Sequence, residues 1–501
     1  MTNYRDAFDV AIIGYGPSGA TLAHLLGLCG LDVLVLERDG AIYHFPRAVH
    51  FDDEVMRVFQ TIGLADAIAA GTLVNPGMRF VDPDGKLLLD WSRPQNIGRH
   101  GWHASYRFHQ PTLERVLNEE IARYPNVQVR RQCEAFLLDD RGDHVVLRYE
   151  DMTNGKMMEA RAAHVVGCDG ARSLARRFIG SEMEDLGFHE KWLVVDVLLK
   201  TPRPDLGDHS VQYCHPDHPV TYARQPDDRR RWEIRLLPGE EAPPATQPER
   251  IWPMLSRWVT PQDAEIERVA AYTFHSLVAK QWRSGRLWIA GDAAHQTPPF
   301  MGQGMCAGIR DVANLAWKLV RAVRGDASDE VLDSYQSERA PNVGKYIATA
   351  VRLGGLINAT DPAAALRMGQ TSDGGASRME SLVSELGPGL GRGSGSGQLF
   401  GQPRLSDGRL MDDVVGYAPA LVADAALARE LAAPPEMQVI TTEDAPEIGA
   451  ELANLGARAA LLRPDRYVLA TANDIAELEA LLAAPRLGGL MERLHPLASV
   501  G

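Results

Sequence analysis

Six residues near the start of the chain, Gly14-Tyr15-Gly16-Pro17-Ser18-Gly19, restrict the fold more than any other stretch. They form a GxGxxG turn between two different patterns. Ahead of it, Phe8-Asp9-Val10-Ala11-Ile12-Ile13 is a short apolar run rich in β-branched residues, suited to a buried parallel strand. Behind it, the spacing predicts a helix from Ser18 to Cys29 with Leu22, Leu25 and Leu26 on its buried face, and Gly30 stands where a left-handed C-cap belongs. A second strand, Asp32 to Leu36, ends at Glu37. In such a βαβ unit the first glycine makes the turn, the second lets the backbone approach a pyrophosphate, and the third lets helix and strand pack closely. The helix start offers free N–H groups to the phosphates, and the acid after the second strand can accept from ribose hydroxyls. Gly14, Gly16, Pro17, Ser18, Gly19, Glu37 and the adjoining Arg38 are therefore candidate dinucleotide contacts.

With 501 residues the chain exceeds one compact core, and two or three domains are expected. Hydrophobic residues at 45% and charged residues at 24% are ordinary for a globular protein. A formal net charge of −14 argues against nucleic acid or an anionic membrane as a main partner. The basic run Arg229-Arg230-Arg231, coming after Pro226-Asp227-Asp228, reads as a solvated turn. Five cysteines without CxxC spacing speak against a disulfide framework or a zinc cluster, and no metal site is expected. The N-terminus has no apolar signal-peptide core and no apolar run is long enough to span a bilayer, so a cytoplasmic location is expected.

From about Leu186 to Arg286 the pattern changes to alternating runs such as Trp192-Leu193-Val194-Val195-Asp196-Val197, broken by Pro, Asp and Gly. This predicts a mainly antiparallel sheet. The strand Leu287-Trp288-Ile289-Ala290 then leads into a glycine turn and a helix from Gly304 to Arg324. The Gly/Ser-rich stretch Gly387 to Gly401 reads as a linker. Strand signals at Met437–Ile440 and Arg466–Leu469 point to a third, small α/β domain.

Two further segments carry polar chemistry on glycine turns: Gly167-Cys168-Asp169-Gly170 after a strand, and Gly291-Asp292-Ala293-Ala294-His295 followed by Pro298-Pro299 and Gly302-Gln303-Gly304-Met305. An Asp at a strand end suits polyol hydroxyls, and the helix start at Gly304 suits negative charge on a ligand. In this order the three segments resemble the FAD-dependent aromatic hydroxylases, single-component flavoprotein monooxygenases. The resemblance runs from about Asp9 to Tyr346 and is nearest to the branch of 3-(3-hydroxyphenyl)propionate and phenol hydroxylases. It is carried also by Pro46-Arg47-Ala48-Val49, Asp52-Asp53-Glu54, Gly101-Trp102, Gln110-Pro111, Leu237-Pro238-Gly239-Glu240 and Gly308 to Leu319.

The resemblance implies an α/β fold: a Rossmann-type FAD-binding domain over residues 1–185 and 286–360, an inserted, mainly antiparallel β substrate domain at 186–285, a linker at 361–395, and a C-terminal thioredoxin-like α/β domain at 396–501 without CxxC. It implies that Arg47 and Gln110 contact the FAD phosphate and ribityl region, that Asp292, next to Gly291, binds a ribityl hydroxyl, and that Pro299, Gly302, Gly304 and Met305 lie beside the isoalloxazine, with Asp169 serving FAD. NADPH or NADH would reduce the flavin transiently, and O2 would give a flavin C4a-hydroperoxide that hydroxylates a small phenol resembling 3-hydroxyphenylpropionate. A homodimer fits this branch.

Favouring the phenolate requires a base or acceptor near the phenol oxygen. His50, just after Arg47-Ala48-Val49, is a candidate because its ordinary pKa suits proton transfer near neutral pH. Tyr213 and Tyr222 on the expected sheet are candidate hydrogen-bond partners, and His103 is a candidate for the pocket wall, whereas His295 reads as structural. Hydroxylation of a larger polycyclic polyketide, or flavin binding without hydroxylation, stays open. The WxWxIP segment of a flavin halogenase is missing.

Overall fold

The computed structural model describes residues 6–42, 47–215, 218–357, 377–379, 381–383, 385–431 and 437–484. Pro46, residues 361–376 of the expected linker and residues 485–501 of the expected C-terminal domain lie outside them.

The strand Ala7–Ile13 pairs in parallel on both sides, with Val33–Glu37 and with Lys156–Gly167. Val10, Ala11 and Ile12 are fully buried, as a strand covered on both faces requires. The sheet runs Arg283–Ser284, Leu287–Ile289, Lys156–Gly167, Ala7–Ile13, Val33–Glu37, Val127–Arg131, with Val145–Asp151 added antiparallel on Lys156–Gly167 and Cys133–Asp140 antiparallel on Val145–Asp151. The first helix spans Pro17–Leu28, because proline fits the first helical position, where no N–H is needed. Gly30 has φ +78°, the left-handed stop expected of it. This helix packs on the helix Gly304–Arg324.

A second, nine-stranded sheet is built on two long antiparallel strands, Met183–Leu199 and Ala264–Ala279. Arg229–Arg235, Val220–Arg224 and Ser210–Tyr213 extend it, and the hairpin Gly77–Val81/Leu87–Ser92 joins from the N-terminal third of the chain. The chain is thus α/β with mixed sheets. Strand alternation divides the second sheet into two faces. Leu193, Val195, Tyr222, Trp232 and Ile234 join the core under the helix Pro248–Leu255. Trp192 points the other way, toward Phe300 and Met301.

The basic run is not a solvated turn. The turn ends at Asp227–Asp228, and Arg229 opens the strand. Arg231, 1% exposed, pairs with the fully buried Asp196 at 2.7 Å, since a buried guanidinium needs a carboxylate.

A third sheet of four strands, in the order Gln438–Thr441, Ala420–Ala423, Ala459–Leu462, Val468–Ala472, carries the helices Glu447–Asn454 and Ile475–Ala483. The Gly/Ser-rich stretch does not hang free as a linker. Its backbone bonds to the last strand, with Arg392 N–H donating to Leu469 O at 2.8 Å and Gly397 N–H to Val468 O at 2.9 Å. Gly393, Gly395 and Gly397, all with positive φ, let it turn against that strand. Among the described residues, no helix is long and apolar enough to cross a membrane.

Candidate functional site

Three glycines of the first turn have three different physical justifications. Gly14 has φ +94°, and a Cβ there would stand 2.5 Å from Cys168 O. At Gly19 a Cβ would meet Gly14 O at 2.1 Å. Gly16 has an ordinary φ of −74°, and an added Cβ meets nothing within 4 Å. Nothing in the protein forbids a side chain at Gly16, so the space it leaves is space for a ligand. No side chain caps the helix that starts there, and its first turn holds no acid. Glu37 turns back on the site: its Oε2 accepts from Tyr15 N–H at 2.7 Å and its Oε1 from Asp39 N–H at 2.8 Å. Arg38 is exposed beside Asp39.

The second glycine turn meets the first. A Cβ on Gly308 would stand 2.4 Å from Ser18 Oγ, and one on Gly291 3.0 Å from it. The Gly291-Asp292 turn is pinned from behind by Asp311, whose Oδ2 accepts from Gly291 N–H at 3.1 Å and from His295 Nε2 at 2.6 Å, while Oδ1 accepts from Arg339 Nε at 3.0 Å. His295 is thus structural. Burial would raise the Asp311 carboxyl, but the charges of His295 and Arg339 outweigh it and hold it below the usual range. Asp292 is left exposed, with no hydrogen bond to its carboxylate among the described residues.

Pro299 opens a short turn of 3-10 helix that ends at Gly302, φ +63°. The helix Gly304–Arg324 then starts without a side-chain cap, and a Cβ on Gly304 would meet nothing within 4 Å. Met305 is half-buried against the core. Two uncapped helix starts, each with an unobstructed glycine, therefore converge beside an unengaged carboxylate. This fits an elongated anionic ligand with hydroxyls between its ends, as FAD is.

His50 lies against the second turn. Its Nδ1 is 3.4 Å from Gly302 O, and since a carbonyl only accepts, Nδ1 carries the proton. Nε2 is 2.7 Å from Ser105 Oγ, which also receives Asn75 Nδ2 at 2.9 Å. Burial pushes the ring down to about 4, with the Asp52 carboxylate pulling the other way. His50 is therefore a neutral ring holding a backbone turn, not the base poised near neutrality that its sequence position suggests. Gln110 is also a support: its Oε1 accepts from Arg47 N–H at 3.0 Å and Ala48 N–H at 2.8 Å, and its Nε2 donates to Glu114. Arg47 itself is exposed, and its carbonyl accepts from Arg231 Nη1 at 2.8 Å.

Asp169 serves the helix Leu174–Ile179. Its Oδ2 accepts from Leu174 N–H at 2.6 Å and Ala175 N–H at 3.2 Å, and its buried Oδ1 has no partner among the described residues.

Tyr213 and Tyr222 do not face the site. Strand alternation puts both on the far face of the sheet, Tyr222 against Trp232 and Tyr213 against Trp258, with ring centroids 5.2 and 5.1 Å apart. The opposite face instead carries Phe80, Trp91, Phe188 and Trp192, which form one apolar cluster with Phe300 and Met301 of the turn before Gly302. Trp91 is 2% exposed, and its Nε1 has no partner among the described residues. His103 stays in the loop after Trp102, its ring edge-on to Tyr106.

Sequence reading missed Asp311, Arg310 and Trp91. The first two lie in the quoted Gly308 to Leu319 stretch, but a helical Arg-Asp pair reads as a solvated face. Trp91 has no local pattern that marks it.

A family model described as an FAD binding domain matches residues 7–350. A probable NADH-specific resorcinol 4-hydroxylase of Rhodococcus jostii (strain RHA1) is 38% identical over 95% of this chain and 94% of its own. A 3-(3-hydroxy-phenyl)propionate/3-hydroxycinnamic acid hydroxylase of Burkholderia cenocepacia (strain HI2424) is 39% identical over 72% of this chain, which reaches 65% of that relative's length. Among solved structures, the flavin-dependent monooxygenase PieE in complex with FAD and substrate superposes with a TM-score of 0.80 at 21% identity, covering 97% of this chain and 98% of that one.

Proposed function

The chain belongs to the FAD binding domain family, and from that premise we propose that it is an FAD-dependent hydroxylase of a small phenol, driven by NADH. The observation that carries this is the pair of uncapped helix starts, at Gly16 and Gly304, converging below an apolar sheet face. The end-to-end relative is named for resorcinol and the other for a hydroxyphenylpropionate. Both names describe a phenol with a meta substituent, and that is the substrate class we assign.

Bound FAD would supply the electron transfer that couples NADH oxidation to O2: NADH, a proton, O2 and the phenol give NAD+, water and the hydroxylated phenol. The chain's own residues bind and position. Gly14, Gly16, Pro17, Ser18 and Gly19 would hold the pyrophosphate, with Glu37 and Arg38 at the adenosine ribose, Arg47 at the phosphates through the loop that Gln110 supports, and Asp292 at the ribityl chain. Asp169 would offer Oδ1. Pro299, Gly302, Gly304 and Met305 would lie along the ring system. The apolar cluster excludes water, and Trp91 Nε1 would donate to the phenol oxygen, which favours its ionised form. The domain division at 1–185 with 286–360, 186–285 and 396–501, the thioredoxin-like character of the last and a homodimer belong to the same reading.

Purified protein should carry a flavin spectrum, and resorcinol or 3-(3-hydroxyphenyl)propionate should accelerate NADH oxidation and yield a product heavier by one oxygen atom. Acceleration only by polycyclic phenols would move the assignment to a larger substrate. Flavin without any phenol-stimulated oxidation would end it. Because its ring stays neutral above about pH 4, His50 should impose no inflection on the hydroxylation rate between about pH 5 and 8. An inflection near 6.5 that disappears in His50→Asn would restore it as a base.

A further inference from the structure

The helix start at Gly304 is not held by its own unit alone. Gln303, its N-cap residue and 6% exposed, accepts at Oε1 from Arg310 Nη1 at 2.9 Å and donates from Nε2 to Asp52 Oδ2 at 3.2 Å. Arg310 also bonds Asp52 through Nη2 and Glu54 through Nε. Glu54 receives a further donor from a distant part of the chain: Tyr467 Oη, at 2.5 Å from Glu54 Oε1. Tyr467 sits at the turn before the last strand of the C-terminal sheet and is 4% exposed. Arg310 thus bridges both carboxylates, through Asp52 Oδ2 and Glu54 Oε2, and Tyr467 is the neutral donor that holds the other oxygen of Glu54 in register.

We propose that Tyr467 is a positioning residue for flavin binding, acting through Glu54, Arg310 and Gln303 to fix the turn Gly302 to Met305 from the C-terminal unit. The proposal rests on the FAD-binding reading above. It gives the C-terminal unit, which lacks CxxC, a task in the reaction without chemistry of its own. Buried hydrogen-bond networks of this kind have one low-energy arrangement when every member is satisfied, and loosen when one donor is removed.

The test compares the wild-type full chain with Tyr467→Phe, Glu54→Gln and a control, Tyr417→Phe. Tyr417 lies in the same unit, and its hydroxyl donates to Ala313 O at 2.7 Å and accepts from Trp317 N–H at 3.1 Å, in the middle of the helix and away from its start. FAD titration, the absorption spectrum of bound flavin and Tm are measured for each. Loss of a hydrogen bond to a charged group corresponds to about tenfold in an equilibrium constant. Tyr467→Phe and Glu54→Gln should each raise the FAD Kd by about that factor and shift the flavin spectrum. Tyr417→Phe should lower Tm and leave both as in wild type. Should Tyr467→Phe not fold, Glu54→Gln decides alone. Wild-type Kd and spectrum in the two test variants, or an equal change in Tyr417→Phe, would overturn the proposal. Failure of the wild type itself to bind FAD would instead overturn the reading on which it rests.

Discussion

The helix that starts at Pro17 and the helix that starts at Leu174 both follow a buried parallel strand and a glycine-bearing turn, yet their first turns are completed differently. At Leu174 the protein satisfies its own N–H groups: Asp169 Oδ2 takes those of Leu174 and Ala175, and Ser173 Oγ takes that of Arg176 at 3.0 Å. At Pro17 no side chain does so, and Gly16 leaves open space in front. The helix start at Gly304 follows the second plan. Exposed N–H groups at a helix start need an acceptor, and where the chain supplies none, water or an anionic ligand can take that place. The same glycine-turn pattern thus leaves an uncapped helix start in two places and a side-chain-capped one in the third.

The largest effect should separate the glycines of the first turn. Gly19→Ala drives a Cβ to 2.1 Å from Gly14 O, so helix and strand must part, and both Tm and FAD binding should collapse. Gly16→Ala puts its Cβ where no protein atom lies within 4 Å, so the apoprotein should melt close to wild type while FAD binding weakens. Equal melting losses in the two variants, followed by differential scanning calorimetry without FAD, would erase the distinction between packing glycine and ligand glycine.

Next in size is the support behind the second turn. Asp311→Asn leaves His295 and Arg339 buried against an uncharged amide, and breaking such a cluster costs roughly 3–5 kcal/mol. The pH dependence has a defined sign. With its carboxyl held below the unfolded value, Asp311 contributes fully above about pH 4, and its contribution is lost as pH falls through the lower folded value. The stability gap between wild type and Asp311→Asn, from urea unfolding, should therefore close on acidification. A gap constant down to low pH would show that the carboxylate is not what pins Gly291.

A smaller effect tests the self-capped corner. Ser173→Ala removes one cap and should cost about 1 kcal/mol, with FAD affinity unchanged. A large drop in FAD affinity would mean that the Ser173 cap, and not Asp169 Oδ1 alone, belongs to the cofactor site.

How much of this was legible in the sequence follows from the range of the interactions. The first βαβ unit was readable because strand, turn, helix cap and acid all fall within Phe8 to Glu37, and each obeys a local rule. The helix Gly304–Arg324 was readable for the same reason. Arg231 was misread because its neighbours Asp227 and Asp228 suggest a turn, whereas its partner Asp196 lies 35 residues away on an adjacent strand. The Gly/Ser stretch was misread because composition reports flexibility of the isolated chain and says nothing of a strand edge waiting to receive it. His50 was singled out by its place after Arg47-Ala48-Val49, but its contact with Gly302 and its burial, which lowers the ring pKa, come from residues distant in sequence.

The smallest expected effect concerns the sheet. Tyrosine on an expected strand near a phenol pocket is chemically attractive, yet alternation gives each strand residue one face, and Val195, Trp232 and Tyr222 share the face turned to the helix Pro248–Leu255. Trp192, on the opposite face, meets Phe300 at 5.5 Å. Tyr222→Phe and Tyr213→Phe keep the rings that pack there and remove only a hydroxyl that points away from the site. Both variants should hold kcat/KM for resorcinol within roughly twofold of wild type, whereas Trp91→Phe, which removes a donor from the near face, should lower it by about tenfold. Steady-state NADH oxidation matched to product formation reads both numbers. Were Tyr222→Phe the damaging change and Trp91→Phe the silent one, the substrate would have to bind on the other side of the sheet, and the two faces would exchange their roles.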